Sequence, residues 1–597
     1  MILQALVDYY DRRSADADPA RRLPSLGFET KEIPFVVELE PDGSVRQLID
    51  TRQLDGNRLR GRKFLVPSGE KKTSGVKANL LWDSAEYVIG LARERRSSSE
   101  LTPTRAYRMR IDQLPEVARR DPGIQAVVNA LELDDWSVLH RHAAWPEILE
   151  NNPIMTFALA SDAGVLVCQR VEVIRAATSV PVDLVKEVRG WCLVEGRVGP
   201  ITRLHPSIKG VRGAQTSGAN IVSFNARAFE SYGKTERQGE NAPISERAVF
   251  AYTTALNHML QHNSPNRIQI GDATSLVWAD RDSDLPEELV ACFGDDPDAH
   301  VASVRERLEA VSSGRTGAND ASVRFHVLGL SPNAARISVR FWIQARFDDL
   351  VPRVLQHFED LRIVRQYDTD PATPSMFRLL TAISSLGKAD HIPPKLAGDW
   401  IRSIFEGAPY PATLLNAAVA RCRAEQGTDL SAGNVPYVRA AILKACINRE
   451  YRRRARSSDF QFIKENLDMN QDDPAYLLGR LFAVLERIQA RAQPGINTTI
   501  RDRYYGSASS TPASVFPTLL RLKNHHLRKL GGGESVFFER LVGEIFGTTE
   551  SPLLGDFPRQ LNLHAQALFA IGYYQQRQFM LTRRNQAAQE PATELED

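Results

Sequence analysis

Two kinds of hydrophobic spacing divide this chain of 597 residues. Up to about residue 345, short runs of β-branched and aromatic residues alternate with helix-like segments. FLV (64–66), NLLW (79–82), VLVCQRVEVI (165–174), WCLVEGRV (191–198) and NIVSF (220–224), bounded by Gly, Pro or Asp, read as strands. The clearest signal is SVRFHVLGLSPNAARISVRFWIQ (322–344), where two arms of alternating apolar residues flank LSPNAAR as a hairpin loop. From residue 346 the apolar spacing changes to three or four. FDDLVPRVLQHFEDLRIV, KLAGDWIRSIFEG, PATLLNAAVARCRAEQG and VPYVRAAILKACINREYRRRAR predict helices punctuated by Gly or Pro. PAYLLGRLFAVLERIQARA (474–492), TPASVFPTLLRLKNHHLRKL (511–530), ESVFFERLVGEIF (534–546) and PRQLNLHAQALFAIGYYQQRQFML (558–581) continue the series, with short loops that suit an antiparallel bundle. The acidic tail AAQEPATELED reads as frayed.

The pattern therefore predicts an α+β fold. A mixed region with antiparallel strands and helices (1–345) precedes a helical connecting region (346–468) and an all-α C-terminal bundle (469–597). Length agrees, since one core rarely serves so many residues.

Composition narrows the class. Hydrophobic residues at 43% and charged residues at 25% are ordinary for a water-exposed chain. No apolar run approaches the ~20 residues that span a bilayer. The start, MILQALVDYYDRRSADADP, lacks a leading positive charge and reads as an amphipathic helix rather than a signal peptide. Cys168, Cys192, Cys292, Cys422 and Cys446 are scattered without a CxxC pair, which argues for a reducing compartment and a cytoplasmic location. The net charge of +2 hides local islands: RLRGRK (58–63), EKKTSGVK (70–77) and NREYRRRAR (448–456) are basic, DRDSDLPEEL (280–289) acidic. Basic islands suit a polyanion bound along defined tracks, although solvated faces look the same in sequence.

Catalytic motifs are missing. There is no GxxxxGKS/T phosphate loop, no GxSxG elbow and no HExxH. His258 and His262 stand four apart on an expected helix, a metal-compatible spacing without a carboxylate between them. Cys422 and Cys446 fall on apolar helix faces and read as core. No metal, cofactor or catalytic residue is expected.

Binding chemistry is better represented. In RLRGRKFLVPSGEKKTSGVKANLLW (58–82), Lys71, Lys72 and Lys77 can neutralise phosphates, Gly69 and Gly75 admit close backbone approach, and Thr73, Ser74 and Asn79 are small donors and acceptors. IKGVRGAQTSGANIVSFN (208–225) follows the same logic. Gly210, Gly213 and Gly218 remove bulk, Lys209 and Arg212 supply cations, and Gln215, Thr216, Ser217 and Asn220 carry groups able to read a base edge. A turn stitched by its own polar side chains fits the same residues. Phe229 and Tyr232, beside Lys234 and Arg237, suit stacking on unpaired bases. Arg452, Arg453 and Arg454, with Arg521, Lys523, Arg528 and Lys529 beside His525 and His526, form basic helix faces.

MILQALVDYY, KTSGVKANLLWDSAEYVIG (72–90), NPIMTFALA (152–160), IKGVRGAQTSGANIVSFNARAFESYGK (208–234) and NAPISERAVFAYTTALNHML (241–260) together resemble the large subunit of the type I-C CRISPR surveillance complex, Cascade. The resemblance runs collinearly through most of the chain. It implies a non-catalytic subunit that reads a protospacer-adjacent motif on duplex DNA, helps open the strands, steadies the displaced strand and helps recruit a separate helicase–nuclease. Base pairing with the guide carries most specificity in such complexes, which leaves the protein a few base-edge and many phosphate contacts. Lys71, Lys72, Thr73, Lys77, Asn79, Lys209, Arg212, Gln215, Ser217 and Asn220 are then the candidates for target DNA. The C-terminal arginines and lysines are candidates for the heteroduplex and displaced strand. Implied partners are the crRNA-bearing backbone subunits, the crRNA-processing subunit and a small subunit made from the same gene by internal initiation. Met469, just before Asp472, Asp473 and Pro474, is the candidate start. From Met469 to Gln589 the chain has 14 Lys/Arg against 9 Asp/Glu, a net of +5. A metal-dependent nuclease and a purely architectural subunit are the competing readings.

Overall fold

The computed structural model describes every residue except 19–20, 57, 71–74, 92–100, 163, 179–187, 225, 235–237, 271–272, 284–292, 294–304, 307, 311–322, 394, 426–433, 455–461, 497, 548–552, 554–555 and 590–597. The chain gathers into two units: residues 3–206 with 224–255 (and Met1), and residues 207–223 with 256–597 (and Ile2).

The first unit contains ten described strands: β1 (Phe28–Ile33), β2 (Phe35–Leu39), β3 (Val45–Asp50), β4 (Gln53–Asp55), β5 (Arg58–Arg60), β6 (Arg62–Pro67), β7 (Trp82–Ser84), β8 (Ile154–Leu159), β9 (Arg189–Trp191) and β10 (Val198–Pro200). FVVEL and IMTFAL are apolar at almost every position, as strands covered on both faces must be. They lie side by side, β2 parallel to β8, in a four-stranded sheet ordered β3-β2-β8-β7 whose other pairs are antiparallel. Helices Pro103–Asp112 and Pro122–Leu133 bury Tyr107, Ile111, Ile124 and Val127 in the same core. Thr102 and Asp121 cap them by accepting N–H bonds from their first turns, with Pro at the start of each. Three ribbons, β1–β6, β4–β5 and β9–β10, are two-stranded.

Not every apolar run became a strand. In 165–174, Val167–Gln169 is a 3-10 turn and Val171–Thr178 a helix that buries Val173. So short an apolar run does not separate strand from helix by period. In NLLW only Trp82 joins a strand, and NIVSF carries only an isolated bridge at Asn220.

The second unit contributes an antiparallel meander, β11 (Arg267–Ile270), β12 (Ala273–Ala279), β13 (Arg324–Asn333) and β14 (Arg336–Arg346). The predicted hairpin is there, but its strands run on through Ser331, Pro332 and Asn333. The turn is only Ala334–Ala335, with Ala334 at φ +51°, and a bulge between Gly329 and Leu330 resets the register. One sheet face, with Val277, Phe325, Val327, Phe341 and Ile343, opens a core that continues through the helices to Tyr574. The periodic segments fold as helices Phe347–Leu361, Leu396–Glu406, Ala412–Ala424, Tyr437–Arg454, Pro474–Ala492, Pro512–Leu527, Gly532–Phe546 and Leu563–Gln589. Asp473 caps Pro474–Ala492, accepting from the N–H groups of Ala475 and Tyr476.

Two features fix the helices. Pro474–Ala492 and Leu563–Gln589 meet backbone to backbone. A Cβ at Gly479 would lie 2.0 Å from the Phe569 carbonyl oxygen, and one at Gly572 would lie 2.2 Å from that of Tyr476. Elsewhere a buried carboxylate organises the core. Asp360 accepts from Arg449 Nε at 2.8 Å and from Arg452 Nη2 at 2.7 Å. Arg449 also donates to the carbonyls of Ser403 and Ala408 and lies over the Tyr410 ring at 4.4 Å. Lys444 donates to the Asp360 carbonyl at 3.1 Å, and burial pulls its ammonium down to about 8. Replacing Asp360 with Ala leaves Arg449 charged, buried and short of its carboxylate. Denaturant titration of Asp360→Ala is expected to show a loss of about 3–5 kcal/mol; a loss below 1 kcal/mol contradicts this account.

Candidate nucleic-acid interface

The glycine-rich excursion 207–223 belongs to the second unit, where backbone hydrogen bonds sew it to the meander. Ile208 and Ala219 exchange both N–H···O bonds, at 2.8 and 2.9 Å, closing the excursion at its neck. The Lys209 N–H donates to Asn257 Oδ1 at 2.8 Å and that of Arg212 to Thr274 Oγ1 at 3.1 Å, on β12. The Asn220 carbonyl accepts from the Ile337 N–H at 2.9 Å, on β14. Inside, Gly218 N–H to Gln215 carbonyl at 2.9 Å makes the turn. Ile208, Val211 and Ala219 point inward and are buried.

The glycines act differently from the sequence expectation. Gly210, at φ +93°, sits where a Cβ would be 2.5 Å from the Leu260 carbonyl oxygen. Gly218, at φ +94°, sits where one would be 2.8 Å from Ser207 Cβ. Both glycines are required by the chain's own packing, and what the excursion offers outward is side chains. Lys209, Arg212, Gln215, Thr216 and Ser217 are exposed; Asn220 is half-buried and its backbone serves the β14 contact.

Arg267 escaped sequence reasoning. It opens β11, half-buried, with Nη1 donating to the Leu260 carbonyl at 3.3 Å. Burial first, and then the positive charge of Arg212, push its guanidinium below the usual arginine range. Two like charges that act on one another make the local potential more positive. An arginine beginning a strand carries no sequence signal; only the fold brings it to Arg212.

The basic loop 68–79 lies in the first unit. Lys71, Lys72 and Thr73 fall outside the described residues. Lys77 is exposed. Asn79 is buried: its Oδ1 accepts from the Glu70 N–H at 2.8 Å, and its own N–H donates to Asp83 Oδ2 at 2.9 Å. In this arrangement Asn79 shapes the loop base rather than presenting an amide to solvent.

The C-terminal cations divide into two groups. Arg452 pairs with Asp360, Arg454 with Glu450 at 2.5 Å and Lys523 with Glu539 at 3.0 Å. Arg453, Arg521, Arg528 and Lys529 are exposed, Arg521 donating to Thr518 Oγ1 at 3.3 Å. The island 448–456 is thus partly core, because Asn448 and Arg449 are buried. The net charge of the bundle likewise includes Arg480 and Arg501, both buried. His526 is buried too, and burial pulls its imidazole below the ordinary range, followed by His525 and Lys529.

The helix expected to carry both His258 and His262 stops short of the second. The helix carrying His258 ends at Met259, which leaves His262 in the following turn. Among the described residues no group of three His, Cys, Asp or Glu is placed to hold a metal ion. Cys422 and Cys446 are core residues, and burial raises the Cys422 thiol to about 12. Among the described residues no helix is long and apolar enough to cross a membrane.

The family model of the CRISPR-associated protein Cas_Csd1 matches residues 6–581. The chain belongs to this family. That places it among CRISPR-associated, Cascade-type proteins, the class its collinear motifs resembled. No curated protein matches the chain. The excursion at 207–223, closed at its neck by Ile208 and Ala219, exposes Lys209, Arg212 and Gln215. Gly210→Ala is expected to distort it and lower the thermal midpoint, at a cost of about 1–3 kcal/mol for a Cβ forced against backbone. Gly75, where an added Cβ would meet nothing within 4 Å, is the comparison: despite its φ of +74°, Gly75→Ala should cost less by calorimetry.

Proposed function

We propose that this chain is the non-catalytic large subunit of a cytoplasmic, crRNA-guided type I-C interference complex. In this reading it recognises a protospacer-adjacent motif on duplex DNA, promotes strand opening, stabilises the R-loop and helps recruit the helicase–nuclease. Its partners are the crRNA-bearing backbone, the crRNA-processing subunit and a small subunit derived from its own C-terminus; no cofactor is called for.

One observation carries the reading: exposed Lys209, Arg212, Gln215 and Ser217 stand on an excursion whose backbone is anchored by its own neck and turn bonds, by Asn257 and by two bonds to the sheet. Cations set register on phosphates, while a planar amide donates and accepts at once along a base edge. Because the loop is ordered beforehand, little of the contact energy goes into ordering it.

In the assembled complex, Lys209→Glu with Arg212→Glu is expected to weaken binding to every duplex and to reduce the slope of log K against log salt by about 2. Gln215→Ala is expected to reduce discrimination between correct and incorrect motifs by about 1–3 kcal/mol, with affinity for non-specific duplex unchanged. Filter binding across a salt series measures both. Unchanged motif preference in Gln215→Ala and unchanged affinity in the charge variant would leave a purely architectural subunit.

The reading also includes internal initiation at Met469, four residues before the Asp473 cap. Intact mass spectrometry of the complex from the native gene is expected to find a species beginning at Met469. Its absence removes this part of the proposal.

A further inference from the structure

Phe229 and Tyr232 read in the sequence as two rings beside cations, and the fold treats them differently. Phe229 ends a 3-10 turn (Arg227–Phe229) and is 39% exposed. Tyr232 is 96% exposed, so almost nothing covers either face of its ring. Its backbone is strained as well. The Lys234 N–H donates to the Ser231 carbonyl at 3.1 Å, closing a turn whose central residues, Tyr232 and Gly233, have φ of +59° and +68°. Two positive φ values are the type I′ pattern, in which Asn, Asp or Gly normally takes the first position. An aromatic residue there is an outlier, and such strain persists only where the surroundings impose it.

The surroundings do impose it. The Asn241 side chain donates to both the carbonyl, at 3.2 Å, and the hydroxyl of Ser231. Lys234 Nζ reaches the Glu240 carbonyl at 3.3 Å, and the Ala242 N–H closes on the Gly239 carbonyl at 3.1 Å. Arg203 Nη1 donates to Gln238 Oε1 at 2.6 Å, which brings a second cation to the same returning segment. Both cations bond neutral acceptors here, and Arg227 is exposed on the 3-10 turn just upstream. Glu230 and Glu240, the described carboxylates of 226–242, are half-buried. Arg237 falls outside the described residues.

We infer that Tyr232 is a stacking platform for an unpaired nucleotide, with Lys234, Arg203 and Arg227 as contacts for its flanking phosphates. Stacking needs an open π face and no shaped pocket, and a ring held out in water beside cations supplies it. A hot spot for a protein partner sits within a ring of packed contacts, whereas Tyr232 stands between Ser231 and Gly233. Paired bases in a duplex offer no free face, so this site takes single strands, unlike the excursion at 207–223. The strain then has a reason: Gly or Asn suits the turn better, and neither carries a ring.

The inference adds to the proposed function a site for the strands that opening releases, and it rests on that reading for the source of the strand. One test uses the full chain alone with fluorescein-labelled oligothymidylate and with a blunt duplex. Tyr232→Gly removes both the ring and the strain, so its thermal midpoint should match that of wild type. Its affinity for the oligonucleotide should fall at least about fivefold, with duplex affinity unchanged, and Tyr232→Phe should bind as wild type does. Wild-type oligonucleotide binding by Tyr232→Gly overturns the inference, as does a loss in Tyr232→Phe equal to that in Tyr232→Gly. A second test places Tyr232→p-benzoylphenylalanine in the crRNA-bearing particle with target duplex. A crosslink to the displaced strand, the target strand or crRNA supports the inference and identifies the source; a crosslink to protein, or none, overturns it. A wild-type particle that binds no target duplex overturns the proposed function instead, and the oligonucleotide assay then decides the inference alone.

Discussion

A polar segment that buries few side chains must still find partners for every inward-facing N–H and carbonyl, and that requirement shapes the excursion at 207–223. Ile208 and Ala219 satisfy one another, Asn257 and Thr274 take two N–H groups, and Ile337 meets the Asn220 carbonyl. The side chains of Lys209, Arg212, Gln215 and Ser217 remain exposed. The same economy governs the turn at 231–234, where Asn241 donates to the Ser231 carbonyl and the ring of Tyr232 is left outside. In both places inward polar bonding determines what faces water.

Charge in this molecule has to be sorted by depth before it says anything about a polyanion. Arg449, Arg480 and Arg501 are buried. The first is committed to Asp360 and two carbonyls, the second to Gln576 Oε1 at 3.0 Å and Met469 Sδ at 3.1 Å. Exposed cations such as Lys209, Arg212, Arg453, Arg528 and Lys529 carry the outward field. Arg267 is half-buried and also feels the positive charge of Arg212, so burial and a neighbouring cation act on it in the same direction.

Long periodic segments were legible in the sequence: the helices from Phe347 onward and the β13–β14 hairpin appear where three-to-four and two-residue spacing placed them. The α+β division followed from that change of period. Short runs were less readable. The segment 165–174 folded into a turn and a helix, and 191–198 folded back on itself, because neither is long enough for period to outweigh tertiary contacts. At the candidate interface, residue types announced polar chemistry but not direction. Asn79 proved to be a buried brace, Gly210 and Gly218 proved to be packing requirements, and Arg267 became visible only once β11 brought it beside Arg212. Strain at Tyr232 was likewise hidden, since a turn sequence does not show which of its residues takes positive φ.

The glycine crossing near the C-terminus has a further consequence. With Gly479 against the Phe569 carbonyl and Gly572 against that of Tyr476, the two helices are interlocked at a separation that no larger residue permits. Rotation of either helix about its axis would drive a side chain into the opposing main chain, so the pair has one azimuth and one register. Both partners lie downstream of Met469. A polypeptide starting there would inherit this keyed joint whole, whereas Tyr574 and Gln575 would lose the carbonyl acceptors at Val364, Lys464 and Glu465. Such a product would keep its internal alignment while exposing new hydrogen-bonding groups along one flank.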